Sequence, residues 1–319
     1  MMALAYILGG GFIDGPSTGL DLYEQYPTVR ALYEEVTDAT GFTVEQITRE
    51  ELPDELALRW CLGEIRQGAL QLALHDVLAE HGIRPAMVGG LSLGALTAAV
   101  MSGSLRRREL FGILSTKRDI RYPGPGDPEE GLALMSMPVD ADPAAYLAGI
   151  DGVYPAIHFG PTNDGESRIT VIAGYQDAIA KAAADVPTGC VVTPLPNRPF
   201  AAHSPLWKHA SDFLEPHVAA ATFADPRIPV VNSLAPETIT TGEAVRQMFS
   251  RNPAEPVSLA YLYEEMWRNG TKLAFALGSG VPPAGVLKLP FPVVYLETVD
   301  DLAEAFTAAD DAGIERSAA

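Results

Sequence analysis

Apolar positions first gather at Leu4 to Leu8, a run stopped by Gly9, Gly10 and Gly11, which predicts a buried strand followed by a tight turn. Asp21 to Thr40 follows a helical period, interrupted at Pro27. From Leu62 to His81 that period is sustained. Leu62, Ile65, Ala69, Leu72 and Ala73 share one face, while Leu70, Leu74, Val77 and Leu78 carry the apolar surface further round. The pattern predicts a long helix buried on most sides, with Gln67, Gln71 and His75 forming its polar stripe and Gly82 ending it. Pro85 to Gly90 reads as a strand of small residues, Leu91 to Gly94 as a sharp turn, and Ala95 to Gly103 as a tightly packed helix.

Pro123, Gly124, Pro125, Gly126 and Pro128 make the stretch from Tyr122 to Pro128 linker-like. Beyond it, Leu132 to Val139 predicts a strand and Pro143 to Ile150 a helix. Tyr154 to Phe159 and Arg168 to Ala173 predict two strands joined through a turn at Asn163, Asp164 and Gly165. Tyr175 to Asp185 then reads as a helix and Cys190 to Leu195 as a strand. This βαββαβ order is a ferredoxin-like unit. It places a small subdomain at 127–196 within a large α/β subdomain made of 1–126 and 197–319. The large part continues with strands at Ile228 to Asn232, Lys272 to Leu277 and Val293 to Leu296, and helices around His209 and His217, over Thr241 to Ser250 and over Ser258 to Arg268. An acidic helix leads into a tail, Asp310 to Ala319, expected to fray. The fold class is therefore α/β, an α/β-hydrolase-like large domain with a parallel-sheet core and an inserted ferredoxin-like unit.

Composition narrows the function. Hydrophobic residues fill 47% of the 319 positions, enough for a sizeable core. With 41 acidic and 22 basic residues the net charge is −19, which repels phosphate backbones and anionic lipid and argues against nucleic-acid or membrane partners. No apolar run reaches the ~18 residues of a membrane helix. Cys61 and Cys190 lack CxxC spacing, so neither a disulfide framework nor a metal site is expected, and a reducing cytoplasm fits.

The chemistry begins at Gly90-Leu91-Ser92-Leu93-Gly94, a G-x-S-x-G turn between a strand and a helix. Small residues two before and two after the serine let the helix pass close to the strand and expose Oγ, and the Leu93 N–H can then face a developing oxyanion. Such a serine needs a base. Of six histidines, His75, His81, His209 and His217 read as surface residues on helices and His158 as a strand residue. His203 stands in a loop where the chain re-enters the large domain, where a base is expected, although a satisfied loop histidine has the same sequence signature. No histidine follows His217, against the late acid-then-histidine order of ordinary α/β-hydrolases. The glycine run at Gly9 fails as a dinucleotide fingerprint because Asp14 stands where glycine is required, which leaves backbone donation to an oxyanion as its alternative use.

Together these residues resemble the malonyl-CoA:acyl-carrier-protein transacylase family over roughly residues 4 to 300. Gly9-Gly10-Gly11 stands at the family's G-Q-G turn, Gln67 in its Q-P-A-L helix, Gly90 to Gly94 at G-H-S-x-G and His203-Ser204 at the histidine motif. Asn232 follows a V-V strand and Gly278-Ser279-Gly280 matches a late G-P-G turn. The resemblance implies a Ser92–His203 dyad, an oxyanion hole from the N–H groups of Leu93 and Gly10, and a main-chain carbonyl near Val257 or Ser258 that orients the imidazole. It implies no bound cofactor, since the substrates carry phosphopantetheine as coenzyme A or holo acyl carrier protein, and it implies an acyl carrier protein partner and a monomer. The substrate-binding positions it implies are Gln67, Leu91, Lys117, Arg118, Phe200, Ala202, Asn232 and Ser258. Carrier proteins are acidic, so Arg106, Arg107 and Arg108, with Arg198 near His203, become candidates for docking one.

The chain also departs from the family. Gly10 replaces the glutamine, Leu91 the histidine before the nucleophile, and Lys117, with Arg118 adjacent, the arginine that pairs with a malonyl carboxylate. Lysine lacks the planar fork of that arginine. Phe200-Ala201-Ala202-His203 matches neither H-A-F-H nor Y-A-S-H, and Trp207 stands at a usual methionine. The expected activity is transfer of an acyl group through Ser92 to a carrier protein in polyketide-type biosynthesis, with a group other than malonyl, such as an aminoacyl, peptidyl or fatty chain. A carrier-protein thioesterase of the same fold, a conventional malonyl transacylase and a non-catalytic carrier-docking module are the competing readings.

Overall fold

The computed structural model describes residues 3–11, 18–49 and 51–316. The first strand, β1 (Ala3–Leu8), is followed by helices α1 (Leu20–Gln25), α2 (Pro27–Thr40), α3 (Val44–Thr48) and α4 (Leu56–Glu80). Next come β2 (Met87–Gly90), α5 (Leu93–Met101) and α6 (Arg107–Thr116). The inserted unit comprises β3 (Glu130–Pro138), α7 (Pro143–Leu147), β4 (Val153–Pro161), β5 (Ser167–Tyr175), α8 (Gln176–Ala184) and β6 (Val191–Pro194). The chain then forms α9 (Lys208–Ala220), β7 (Val230–Val231), β8 (Thr238–Ile239), α10 (Gly242–Arg251), β9 (Val257–Ser258) and α11 (Leu259–Arg268). It closes with β10 (Thr271–Leu277), β11 (Val293–Leu296) and α12 (Leu302–Asp311).

The larger sheet runs β11-β10-β1-β2-β7-β8, parallel except for β8. Both of its faces are covered, which is why β1 and β10 read as continuous apolar runs rather than alternating ones. Leu4, Tyr6 and Leu8 of β1, with Leu273, Phe275 and Leu277 of β10, enter the main core beneath α2, α4 and α5. Ala5, Ile7, Ala274 and Ala276 face the opposite way, onto Leu259, Leu262 and Met266 of α11.

The smaller sheet runs β6-β3-β5-β4-β9, and its first four strands have the ferredoxin-like order. Ala133, Met135 and Met137 of β3 pack with Ile179 and Ala182 of α8 in a core of their own. The other face, with Leu132, Leu134, Ile157 and Ile169, joins the core shared with the large sheet. The expected subdomain boundary at 197 is crossed by backbone pairing. β9 belongs to the large part in sequence, yet it aligns Val257 with Ile157 and Ser258 with His158 at the edge of the small sheet.

Several elements differ from the sequence expectation. Helix α4 begins at Leu56 rather than Leu62. The short α3 was not anticipated, although Thr43 and Gln46 close a capping box at its start. β7 keeps only two of the five residues expected and pairs with β8. The tail remains helical to Asp311, Ile314 packs against the core, and residues 317–319 lie outside the described residues. Among the described residues, no helix is long and apolar enough to cross a membrane.

The supposed polar stripe of α4 is enclosed: Gln67 and Gln71 are buried, and the His75 ring meets Tyr6 edge-on at 6.0 Å between centroids. Burial, helped by the Arg107 and Arg84 charges, pushes the His75 imidazole down to about 4. A group whose folded pKa lies below its unfolded value supports the fold fully above the unfolded value and loses that support as pH falls through the folded one. Chemical denaturation between pH 7 and pH 5 should therefore show a decline to which His75 contributes roughly 1–2 kcal/mol. His75→Phe, which keeps an aromatic ring beside Tyr6, should flatten that decline; an unchanged pH dependence would contradict the assignment.

Candidate active site

Three neighbouring strands, β10, β1 and β2, end their carboxyl sides at the same edge of the sheet, a common location for ligand sites in α/β folds. Their loops are tied together from below by α4. Gln71 Nε2 donates to the Gly9 carbonyl at 3.0 Å, Gln67 Nε2 donates to the Ser279 carbonyl at 3.0 Å, and Thr97 Oγ1 of α5 donates to Gln71 Oε1 at 2.5 Å. Gln67, expected at the substrate, instead holds the Gly278–Gly280 turn. Gln71 was missed, although two glutamines one turn apart in an otherwise apolar helix were a visible signal.

At the end of β2 the chain turns through Ser92 with φ 52° and ψ −117°, directly into α5. A side chain on Gly90 would strike the Gly94 backbone at 2.3 Å, and one on Gly94 would strike the Leu8 carbonyl at 2.3 Å. Only glycine at both places lets α5 lie this close to β1 and β2. Leu93 opens α5, and the position of a Cβ on Gly10 falls 3.4 Å from Ser92 Cβ, so both expected oxyanion donors border the serine. The positive end of the α5 dipole also favours developing negative charge there.

The structure brings His203 to this serine, its Nε2 lying 2.9 Å from Ser92 Oγ. His203 has φ 60°, another left-handed backbone at a non-glycine residue, and its N–H donates to the Pro253 carbonyl at 2.9 Å. Nδ1 lies 2.8 Å from the Asn252 carbonyl. The orienting carbonyl thus comes from Asn252, at the end of α10, and not from Val257 or Ser258, which are engaged in β9. A carbonyl can only accept, so Nδ1 carries the proton and Nε2 is left as acceptor for the serine hydroxyl. Burial pushes the imidazole down to about 4; main-chain hydrogen bonds at Asn252 and Glu255 work the other way, and the Lys117 charge adds to the lowering.

The dyad opens into a cleft between the two sheets. Leu132, Ile157, Phe159 and Val171 of the small sheet form one wall, and Leu91, Leu93 and Leu96 line the other. The far end is aromatic. Phe200 stacks on Trp207 at 5.0 Å and takes Trp60 edge-on at 4.6 Å, while Tyr122 lies 5.4 Å from Phe200. Trp60 and Tyr122 were not anticipated, because loop aromatics and helix-start aromatics carry no periodic signal. Lys117 reaches the cleft and pairs with Glu64 at 2.6 Å.

Of the other expected positions, Leu91, Phe200, Ala202 and Arg198 line the cleft. Arg118, Asn232 and Ser258 do not. The Arg118 guanidinium turns outward to the Ser115 and Thr40 carbonyls and over the Phe42 ring. Asn232 closes its own turn, donating to Glu237 and accepting from the Leu234 N–H, and Ser258 caps α11. Arg106 and Arg107 are paired with Glu109 and Asp76, beyond the end of α5 that lies away from Ser92. Two of the three charges of the proposed docking patch are therefore already matched.

A strained serine at a helix start, a buried neutral histidine and an apolar cleft suit covalent acyl transfer. The family model described as acyl transferase domain matches residues 18–277. The chain belongs to that family. Acyltransferases of this kind need no cofactor, since phosphopantetheine arrives on their substrates. The malonyl CoA-acyl carrier protein transacylase of Escherichia coli O157:H7 is 27% identical over 271 residues, which span 84% of this chain and 86% of that one. The fold also matches the malonyl CoA-acyl carrier protein transacylase of Clostridium perfringens, with a TM-score of 0.84 at 17% identity over 98% of both chains. A malonyl-transacylase solved in complex with its type II polyketide synthase acyl carrier protein matches with a TM-score of 0.79 at 20% identity, covering 96% of this chain and 99% of that one.

Because His203 stays neutral until about pH 4, acylation of Ser92 should not show an acid limb at the ordinary histidine value of about 6.5. The single-turnover rate of acyl-enzyme formation, followed by intact mass from pH 4 to 8, should hold steady down to about pH 5 before falling. A half-maximal rate near pH 6.5 would contradict the buried-base assignment.

Proposed function

We propose that this acyltransferase moves an acyl group from a thioester donor onto Ser92 and then onto the phosphopantetheine thiol of an acyl carrier protein. The observation that carries the reading is the 2.9 Å contact between Ser92 Oγ and His203 Nε2 at the base of an open apolar cleft. In the first half-reaction Oγ attacks the thioester carbonyl as its proton passes to Nε2. Negative charge gathers on the carbonyl oxygen beside the N–H groups of Leu93 and Gly10, donors of a kind worth about 10²–10³ in rate each. The C–S bond then breaks and the imidazolium returns the proton to the departing thiolate. In the second half the carrier thiol gives its proton to Nε2 and attacks the ester, and Ser92 Oγ leaves, reclaiming that proton.

The named relatives are malonyl transacylases, and one is solved with its carrier protein. They support an acyl carrier protein as acceptor, a polyketide setting, and malonyl as the acyl group. Malonyl is better supported than the carboxylate-free group expected from the sequence departures. One observation favours that second reading: the Lys117 ammonium already has a carboxylate partner in Glu64.

Intact-protein mass after incubation with malonyl-, acetyl- and butyryl-thioesters, on coenzyme A and on a carrier protein, tests the assignment. An acyl adduct should form on the native chain, disappear in Ser92→Ala and pass to added holo carrier protein. An adduct that persists in Ser92→Ala contradicts the reading. Free acid accumulating in place of acylated carrier protein assigns the same dyad to hydrolysis.

A further inference from the structure

Among the described residues, the cleft contains an ion pair close to the dyad. Lys117 Nζ and Glu64 Oε2 are 2.6 Å apart, with side chains 12% and 15% exposed. Glu64 stands on α4 and its carboxylate also lies against the glycine loop, Oε1 falling 3.7 Å from the place a Cβ on Gly11 would take. The pair therefore sits between the loop that borders Ser92 and the start of the short turn at Lys117. His203 is neutral, the neighbouring Arg118 is turned away, and the charges of Glu64 and Lys117 cancel. Among the described residues the other cation lining the cleft is Arg198, whose guanidinium lies over the Trp60 ring at 5.2 Å, at the aromatic end.

From this we infer that Glu64 is a specificity-determining residue, whose carboxylate competes with any carboxylate on the acyl group for the Lys117 ammonium. The inference rests on the acyl group occupying this cleft, as in the function proposed above, and holds whichever group is the native one. An incoming carboxylate must displace Glu64 from Lys117 and then sit next to a second negative charge in a poorly hydrated site, where like charges repel strongly. An acyl group without a carboxylate leaves the pair intact, with neither charge stripped of its partner. Glu64 thus tilts selection toward uncharged acyl groups without touching the reacting atoms.

The test compares single-turnover loading of Ser92 from malonyl-CoA and from butyryl-CoA, read by intact mass and expressed as a ratio. In Glu64→Gln the freed ammonium should raise the malonyl-to-butyryl ratio by at least about tenfold, the change a shift of about 1.4 kcal/mol produces. The double variant Glu64→Gln with Lys117→Gln buries no unpaired charge and shows whether the freed ammonium is the cause: its ratio should fall well below that of Glu64→Gln and not exceed that of the native chain. If Glu64→Gln folds poorly, Glu64→Asp, whose shorter side chain loosens the pair, should raise the ratio in the same direction. A ratio that stays the same in Glu64→Gln, or rises equally in the double variant, overturns the inference while leaving acyl transfer standing. If the native chain is loaded by neither donor, the function proposed above fails, and the inference fails with it.

Discussion

Helix α5 lies against the ends of β1 and β2 because Gly90 and Gly94 have no side chains where the Gly94 backbone and the Leu8 carbonyl pass. That close approach forces Ser92 into a left-handed backbone and turns its hydroxyl out of the sheet. A non-glycine residue held there costs of order 1–3 kcal/mol, and the surrounding structure offsets it. Ala95, Leu96, Ala98 and Ala99 of α5 are buried in the main core, and Gln71 links the helix to the Gly9 loop through Thr97. His203 is held in a similar backbone state by the Pro253 carbonyl. Strain at both residues and convergence of their side chains are the same fact seen from two sides.

The second constraint is the pairing of the two sheets. β9 extends the small sheet from within the large part, so the wall formed by Leu132, Ile157, Phe159 and Val171 is registered to the segment that follows Asn252 and Pro253. The carbonyl that orients His203 and the apolar wall facing it are thus fixed by one short stretch of chain. A cleft built this way combines an apolar interior for an acyl chain with a dyad whose Nδ1 is oriented by a main-chain carbonyl.

Much of this was legible in the sequence because strong periodicity and glycine punctuation act locally. β1, the α1–α2 break at Pro27, the run of α4, the strand-turn-helix at Ser92 and the βαββαβ insertion all follow from residues a few positions apart. His203 stood out only as a loop residue at the point of re-entry, a signature it shares with a satisfied loop histidine, and the family resemblance was what singled it out as the base. What was not legible depends on distant partners. The Asn252 carbonyl has no residue signature, and the Glu64–Lys117 pair joins positions far apart in the chain. Gln67, Gln71 and His75 looked like a polar stripe because periodicity alone does not show that loops and β1 close over that face of α4. Asn232 and Ser258 matched a family pattern by position but are consumed by local turn and capping bonds.

The dyad depends on the Asn252 carbonyl fixing one tautomer of a neutral, buried imidazole. Nitrogen-15 NMR of the labelled protein measures this directly. At pH 7 His203 should give a protonated Nδ1 and an unprotonated Nε2, and that pattern should persist to pH 5. A proton on Nε2 at pH 7, or an imidazolium already half-formed near pH 6.5, would show that His203 is not poised to accept the Ser92 proton and would contradict the account.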